Sequence, residues 1–131
     1  MRVMLDTNVL ISALLFPSKQ MDVLFEKIVA NHTLVLSSYV INEVHMVVER
    51  KFPNKIQVID RLLSNMSYEL VYTPKIISEI IAEIRDSKDY PILYTAIKEE
   101  IDVLITGDKD FYDLKIDRPE IISPGGFIEK Y

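Results

Sequence analysis

Four acidic residues carry the chemistry this sequence can do: Asp6, Glu43, Asp89 and Asp108. Asp6 directly follows a short apolar run, Arg2 to Leu5, and Asp108 stands two residues after Thr106, at the end of another, Val103 to Ile105. Glu43 is set among Val40, Ile41, Val44 and Val47, where a merely solvent-facing glutamate is out of place. Asp89 stands at the head of a helical pattern that leads into the run at Val103. Each acid also has a structural reading, Asp6 and Asp89 as helix caps and Asp108 as a Gly-Asp turn residue. Together they make a hard oxygen-donor set suited to Mg²⁺ or Mn²⁺. Such ions activate water and stabilise the leaving oxygen of a phosphodiester. Without a cation, four carboxylates in one cleft would repel one another.

Short apolar runs alternating with longer helical patterns must position these acids. The sequence predicts strands at Arg2–Leu5, Leu34–Leu36, Tyr68–Tyr72, Val103–Ile105 and, more weakly, Glu120–Ile122. Between them, helices are predicted over Val9–Phe16, Met21–Ala30, from Ser37 or Ser38 to about Lys51, over Pro53–Met66, from Thr73-Pro74 to about Ile84, and from Asp89 to about Glu100. A short helix after Pro124 ends the chain. This alternation implies one α/β domain over residues 1–131 with a parallel sheet and right-handed crossovers. In such a sheet Asp6, Glu43 and Asp108 fall just past the C-terminal strand ends, where ligands bind at the switch in strand order. The path of the Arg85–Lys88 loop decides whether Asp89 joins them.

The chain has 131 residues and no cysteine, which excludes disulfides and thiolate metal sites. Asp6, Asn8, Pro17 and Lys19 break the apolar N-terminal stretch that would otherwise mimic a signal peptide. No run approaches the ~18–20 apolar residues of a membrane span, so the expected setting is cytoplasmic, with no membrane partner. A net charge of −5 runs against nucleic-acid binding, which favours basic surfaces, although two bound divalent cations would offset most of it.

The motifs resemble the PIN-domain family of ribonucleases, in particular its prokaryotic toxin–antitoxin (VapC-like) type. They are Val3-Met4-Leu5-Asp6-Thr7-Asn8-Val9-Leu10, Ser37-Ser38-Tyr39-Val40-Ile41-Asn42-Glu43-Val44, and Asp86-Ser87-Lys88-Asp89-Tyr90-Pro91-Ile92-Leu93 followed by Ala96. The most specific is Val103-Leu104-Ile105-Thr106-Gly107-Asp108-Lys109-Asp110-Phe111, and the ending Ile122-Ser123-Pro124-Gly125-Gly126-Phe127 is also similar. The resemblance spans essentially the whole chain.

That resemblance implies a three-layer α/β/α fold around a central parallel sheet of about five strands. It implies cleavage of RNA assisted by Mg²⁺ or Mn²⁺, with Asp6, Glu43, Asp89 and Asp108 as catalytic metal ligands. Asn8 and Thr106 match positions that orient the carboxylates, and Asp110 is a further acid behind them. Asp86 competes with Asp89 for the third position, and Asp89 is preferred because it precedes Ala96 by the family's interval. A small antitoxin covering the cleft and a homodimer are also implied, with Met21–Ala30 and Pro53–Met66 as candidate surfaces.

Other features weigh less. Lys19, Lys88 and Lys109 adjoin the motif loops and could meet an RNA backbone, but ordinary solvated lysines are the favoured reading. His32 and His45 read as structural or surface residues. Tyr39, Tyr90 and Tyr112 lie near the motifs, with core packing favoured over base stacking. A phosphoacceptor receiver domain would need paired acids after the first strand, and a haloacid-dehalogenase-like phosphatase a second aspartate where Asn8 stands. The remaining alternative is a non-catalytic PIN-like RNA-binding or assembly module.

Overall fold

The computed structural model describes residues 1–74 and 90–131. The predicted helix beyond Pro74, the Arg85–Lys88 loop, and Asp86, Lys88 and Asp89 lie outside the described residues. Within them the order is β1 (Arg2–Leu5), α1 (Thr7–Leu15), α2 (Lys19–Asn31), β2 (Thr33–Ser37), α3 (Ser38–Lys51) and α4 (Ile56–Asn65). There follow β3 (Glu69–Val71), α5 (Tyr90–Lys98), β4 (Val103–Ile105), β5 (Glu120–Ile122) and α6 (Pro124–Lys130).

All strand pairs are parallel, in the order β3-β2-β1-β4-β5. Val3, Met4 and Leu5, the run Leu34–Ser37, and Val103–Ile105 are buried at every consecutive position. Successive strand residues point to opposite faces, so unbroken burial means that both faces are covered. Helices therefore lie on both sides of the sheet, in the three-layer arrangement expected.

The helices begin where side-chain oxygens can serve the unpaired first-turn amides. Asp6, Ser18, Ser37 and Ser123 accept from the amides of Val9, Met21, Val40 and Gly126. Each such cap is worth about 1 kcal/mol. These caps explain the shifted boundaries: α1 and α2 start two residues earlier than predicted, because Asp6 and Ser18 close their first turns. The segment from Pro53 is not one helix. A 3₁₀ turn, Pro53–Lys55, precedes α4, which has no capping side chain at Lys55.

The apolar stripes of the two candidate dimer helices are largely consumed by the core. Leu24 and Ile28 of α2 and Ile59 of α4 are fully buried, leaving Val29 and Val58 as their exposed large apolar residues. His45 bridges α3 to α4 through Asp60 (2.6 Å), and His32 sets its ring edge against Phe127. Both histidines are structural, as read from the sequence.

The N-terminal edge of the sheet is tied by compensated charges. Asp102 accepts from the Arg2 amide and the Arg118 guanidinium, both at 2.8 Å. Arg2 also forks onto the Glu69 carboxylate. Glu120 receives Lys130 and Tyr131, each at 2.6 Å.

α5 leads into β4 through a tight stop. The Ile101 amide donates to the Ala96 carbonyl (2.9 Å) and the Glu100 amide to that of Ile97 (3.1 Å), with Glu100 at φ 54°. This is the left-handed helix-ending position that glycine fills without steric cost. Replacing the exposed Glu100 by glycine should therefore stabilise the domain by about 0.5–1 kcal/mol, a rise of about 3 °C in melting temperature. An unchanged or lower melting temperature would show that the Glu100 side chain offsets its backbone strain.

Candidate active site

The strand order reverses beside β1, with β2 and β3 on one side and β4 and β5 on the other. Leu5 pairs with Ile105, so the residues one step further, Asp6 and Thr106, leave the sheet side by side. The Asp6 amide continues the ladder to the Ile105 carbonyl (3.1 Å), and the Thr106 amide to that of Ile122 (3.0 Å). The site is thus built on the last rungs of the sheet.

Asp6 performs two tasks with one carboxylate. Oδ1 accepts from the Val9 amide at 2.9 Å and caps α1, while Oδ2 accepts from the Thr106 hydroxyl. The cap reading of Asp6 holds, and the same carboxylate faces Thr106 at the strand end. The residue is only 7% exposed. Burial pushes its pKa above the ordinary carboxylate value. The Thr106 and Val9 hydrogen bonds oppose that rise, and the neighbouring charges of Asp108 and Glu43 add to it. Those two influences show that the three acids share one field.

Glu43 comes from the second turn of α3, which Ser37 starts at the end of β2. Its Oε1 accepts from the Thr7 hydroxyl at 2.6 Å. Thr7 is buried and immediately follows Asp6, so α1 fixes two acids at once. Asp108 sits half-buried beyond β4. Its amide donates to the Thr106 hydroxyl oxygen (3.0 Å), and its Oδ1 accepts from the Asp110 amide (2.9 Å), starting the 3₁₀ turn Lys109–Phe111. Thr106 is therefore the hub, giving its proton to Asp6 and receiving one from Asp108.

Of the expected supporting residues, Thr106 donates to the Asp6 carboxylate and the backbone amide of Asp110 donates to Asp108. Asn8 is exposed, and its side chain makes no hydrogen bond among the described residues. The orienting role falls instead to Thr7, whose inward direction follows from the start of α1 and was not visible in the motif. Tyr112 departs from the core packing favoured for it. It is 41% exposed rather than packed in the core, and its phenol donates to the Thr106 carbonyl at 2.6 Å. Lys19 and Lys109 are exposed, and Lys88 and Asp89 lie outside the described residues. α5, which begins at Tyr90, packs against α3, the helix carrying Glu43.

The donor set fits a hard divalent cation in its chemistry. It is all oxygen, and both Glu43 and Asp108 keep one carboxylate oxygen with no hydrogen bond among the described residues. The described residues do not complete a site, since no three of their His, Cys, Asp or Glu side chains converge closely enough to hold an ion.

This chain belongs to the PIN-domain family: the family's model matches residues 2–110. Among solved structures, the fold is similar to a chain of VapBC2 from Rickettsia felis, whose crystal structure is described as bound to a DNA fragment from the promoter. The TM-score is 0.70 at 22% identity, over 94% of this chain and 98% of that one. At that identity the likeness is one of fold. No curated protein matches the chain.

The raised pKa of Asp6 has a consequence for stability. Below 3.8, its ordinary value, Asp6 is protonated in both folded and unfolded chains and burial carries no ionic penalty. As pH rises through the elevated folded value, that favourable contribution is lost. Asparagine cannot ionise and still caps a helix. Without divalent cations at pH 7, Asp6→Asn should therefore melt higher than the wild type, with the gap closing as pH falls towards 3.8. A gap that widens on acidification would contradict the assignment.

Proposed function

We propose that this protein is a metal-dependent endoribonuclease that hydrolyses phosphodiester bonds of single-stranded or structured RNA, and that it is the toxin of a toxin–antitoxin pair. The observation that carries the reading is the buried Asp6 carboxylate at the strand-order switch, with Glu43 and Asp108 held towards the same field by Thr7 and Thr106. PIN-family membership supports nuclease chemistry, and the likeness to VapBC2 supports a toxin-type chain with a small antitoxin partner. A homodimer belongs to the same proposal, as does a cytoplasmic setting. Among the described residues no helix is long and apolar enough to cross a membrane.

Asp6, Glu43, Asp89 and Asp108 would hold Mg²⁺ or Mn²⁺, which supplies charge neutralisation for the phosphate and a lowered pKa for water. The chain's own contribution is positional. Thr106 and the Val9 amide fix both oxygens of Asp6, so the carboxylate cannot rotate away from the cleft. Thr7 aims Glu43, and the Asp110 amide aims Asp108. In the reaction, water oxygen forms the new bond to phosphorus in line with the leaving sugar oxygen, and that P–O bond breaks. The pre-aimed acids spare the reorganisation that this charge build-up would otherwise demand.

The test is incubation of purified protein with single-stranded RNA in Mn²⁺, Mg²⁺ or EDTA. The wild type should cut with either metal and not in EDTA. Asp6→Asn and Asp108→Asn should each lose about two orders of magnitude or more. Mn²⁺ should raise the melting temperature of the wild type but not of either variant. Thr7→Val removes only the donor to Glu43 and should cost about tenfold. Cleavage that persists in both aspartate variants would overturn the assignment. Absence of both cleavage and a thermal shift would instead identify a non-catalytic binding module.

A further inference from the structure

Tyr112 lies beside Asp6 and Asp108 at the C-terminal edge of the sheet, and its placement is not that of a core residue. Phe111, its predecessor, is buried and anchors the turn. The Tyr112 amide donates to the Lys109 carbonyl (3.1 Å), and its phenol to the Thr106 carbonyl (2.6 Å). Both ends of the residue are thereby fixed, yet the residue stays 41% exposed. The ring has no aromatic partner among the described residues. Burial, and then the charges of Asp6 and Asp108, raise the phenol's pKa, which places it within the field of both acids.

We propose that Tyr112 is a base-stacking residue, receiving a nucleobase of a single-stranded nucleic acid next to the phosphate held at the acid cluster. This rests on the nuclease reading above and adds a nucleobase subsite to it. Three features favour a base as the occupant. The ring is immobilised before binding, so stacking costs little side-chain entropy. A π face beside carboxylates suits a neutral, flat group and disfavours a second anion. A platform adjoining the reacting phosphate requires an unpaired base, since a duplex keeps its bases stacked within the helix. The phenol oxygen is engaged by Thr106, which leaves the ring face as the recognition element.

The chain contains no tryptophan, so Tyr112→Trp introduces a single emitter at this position. The probe is a short, mixed-sequence 2′-O-methyl RNA single strand, which resists cleavage, with binding followed independently by anisotropy of a labelled copy in Mn²⁺. Binding should quench the tryptophan of Tyr112→Trp and leave that of Phe16→Trp unchanged, since Phe16 lies at the far end of α1. In cleavage assays Tyr112→Leu should raise KM about tenfold with kcat nearly unchanged, and Tyr112→Phe, which keeps the ring but loses its tether to Thr106, should raise KM clearly less than Tyr112→Leu does. Binding by anisotropy without quenching overturns the stacking proposal and leaves the nuclease reading intact. Equal defects in the phenylalanine and leucine variants also overturn it, by showing that the hydroxyl's hold on Thr106 is what matters. The phenylalanine and tryptophan variants keep an aromatic ring and remain decisive if the leucine variant does not fold. Absence of binding and of cleavage together would remove the nuclease reading and this subsite with it.

Discussion

The site depends on one bond, that between the Thr106 hydroxyl and the Asp6 carboxylate, made where β1 and β4 end together. A carboxylate buried to this depth is unfavourable unless donors surround it. Asp6 has two, one from the start of α1 and one from the neighbouring strand's end. Neither neutralises its charge. The sheet therefore holds an anion in place without compensating it, and two more acids stand close enough to press on it. This arrangement costs folding stability and makes sense when something positive completes it.

The two edges of the sheet make the contrast plain. At the N-terminal edge, Asp102 meets Arg118, Glu69 meets Arg2 and Glu120 meets Lys130. At the C-terminal edge, the hydrogen bonds to Asp6, Glu43 and Asp108 come from hydroxyls and backbone amides. One edge fastens strand starts and helix ends, while the other leaves charge in reserve. The parallel topology produces this division, because every β-to-α turn lies on the same side and delivers helix starts with free amides there.

Much of this was legible in the sequence, and the failures have physical reasons. The apolar runs placed all five strands to within one residue at each end, and β1, β2 and β4 are buried on both faces, where a strand admits few alternatives. Asp6 and Asp108 were legible because each ends such a run. Helix starts were misjudged by up to two residues where the cap was a site residue, as at Asp6, or a lone serine, as at Ser18. Thr7 was overlooked in favour of Asn8 because the motif gives residue types, whereas inward or outward direction depends on the helical phase set by the cap. Tyr112 was assigned to core packing because exposure beside a 3₁₀ turn leaves no periodic signal. Glu100 gave no sign of its left-handed backbone, since the sequence places no glycine there.

The net charge of −5 poses the hardest question for a nuclease reading. Most nucleic-acid binders draw affinity from many lysine and arginine contacts to phosphates, which makes binding steeply salt-dependent. Here the residues about the site are acids, threonines and a tyrosine, with Lys109 the adjacent exposed cation among the described residues of its turn. On the proposed reading, attraction to phosphate has to come through cations held at the cleft, and the remaining affinity from neutral contacts such as a stacked base. Grip on the substrate is then concentrated at the point of reaction rather than spread over a basic surface. Metal occupancy would govern binding as well as chemistry, and a partner that covers this small acidic cleft would remove both together.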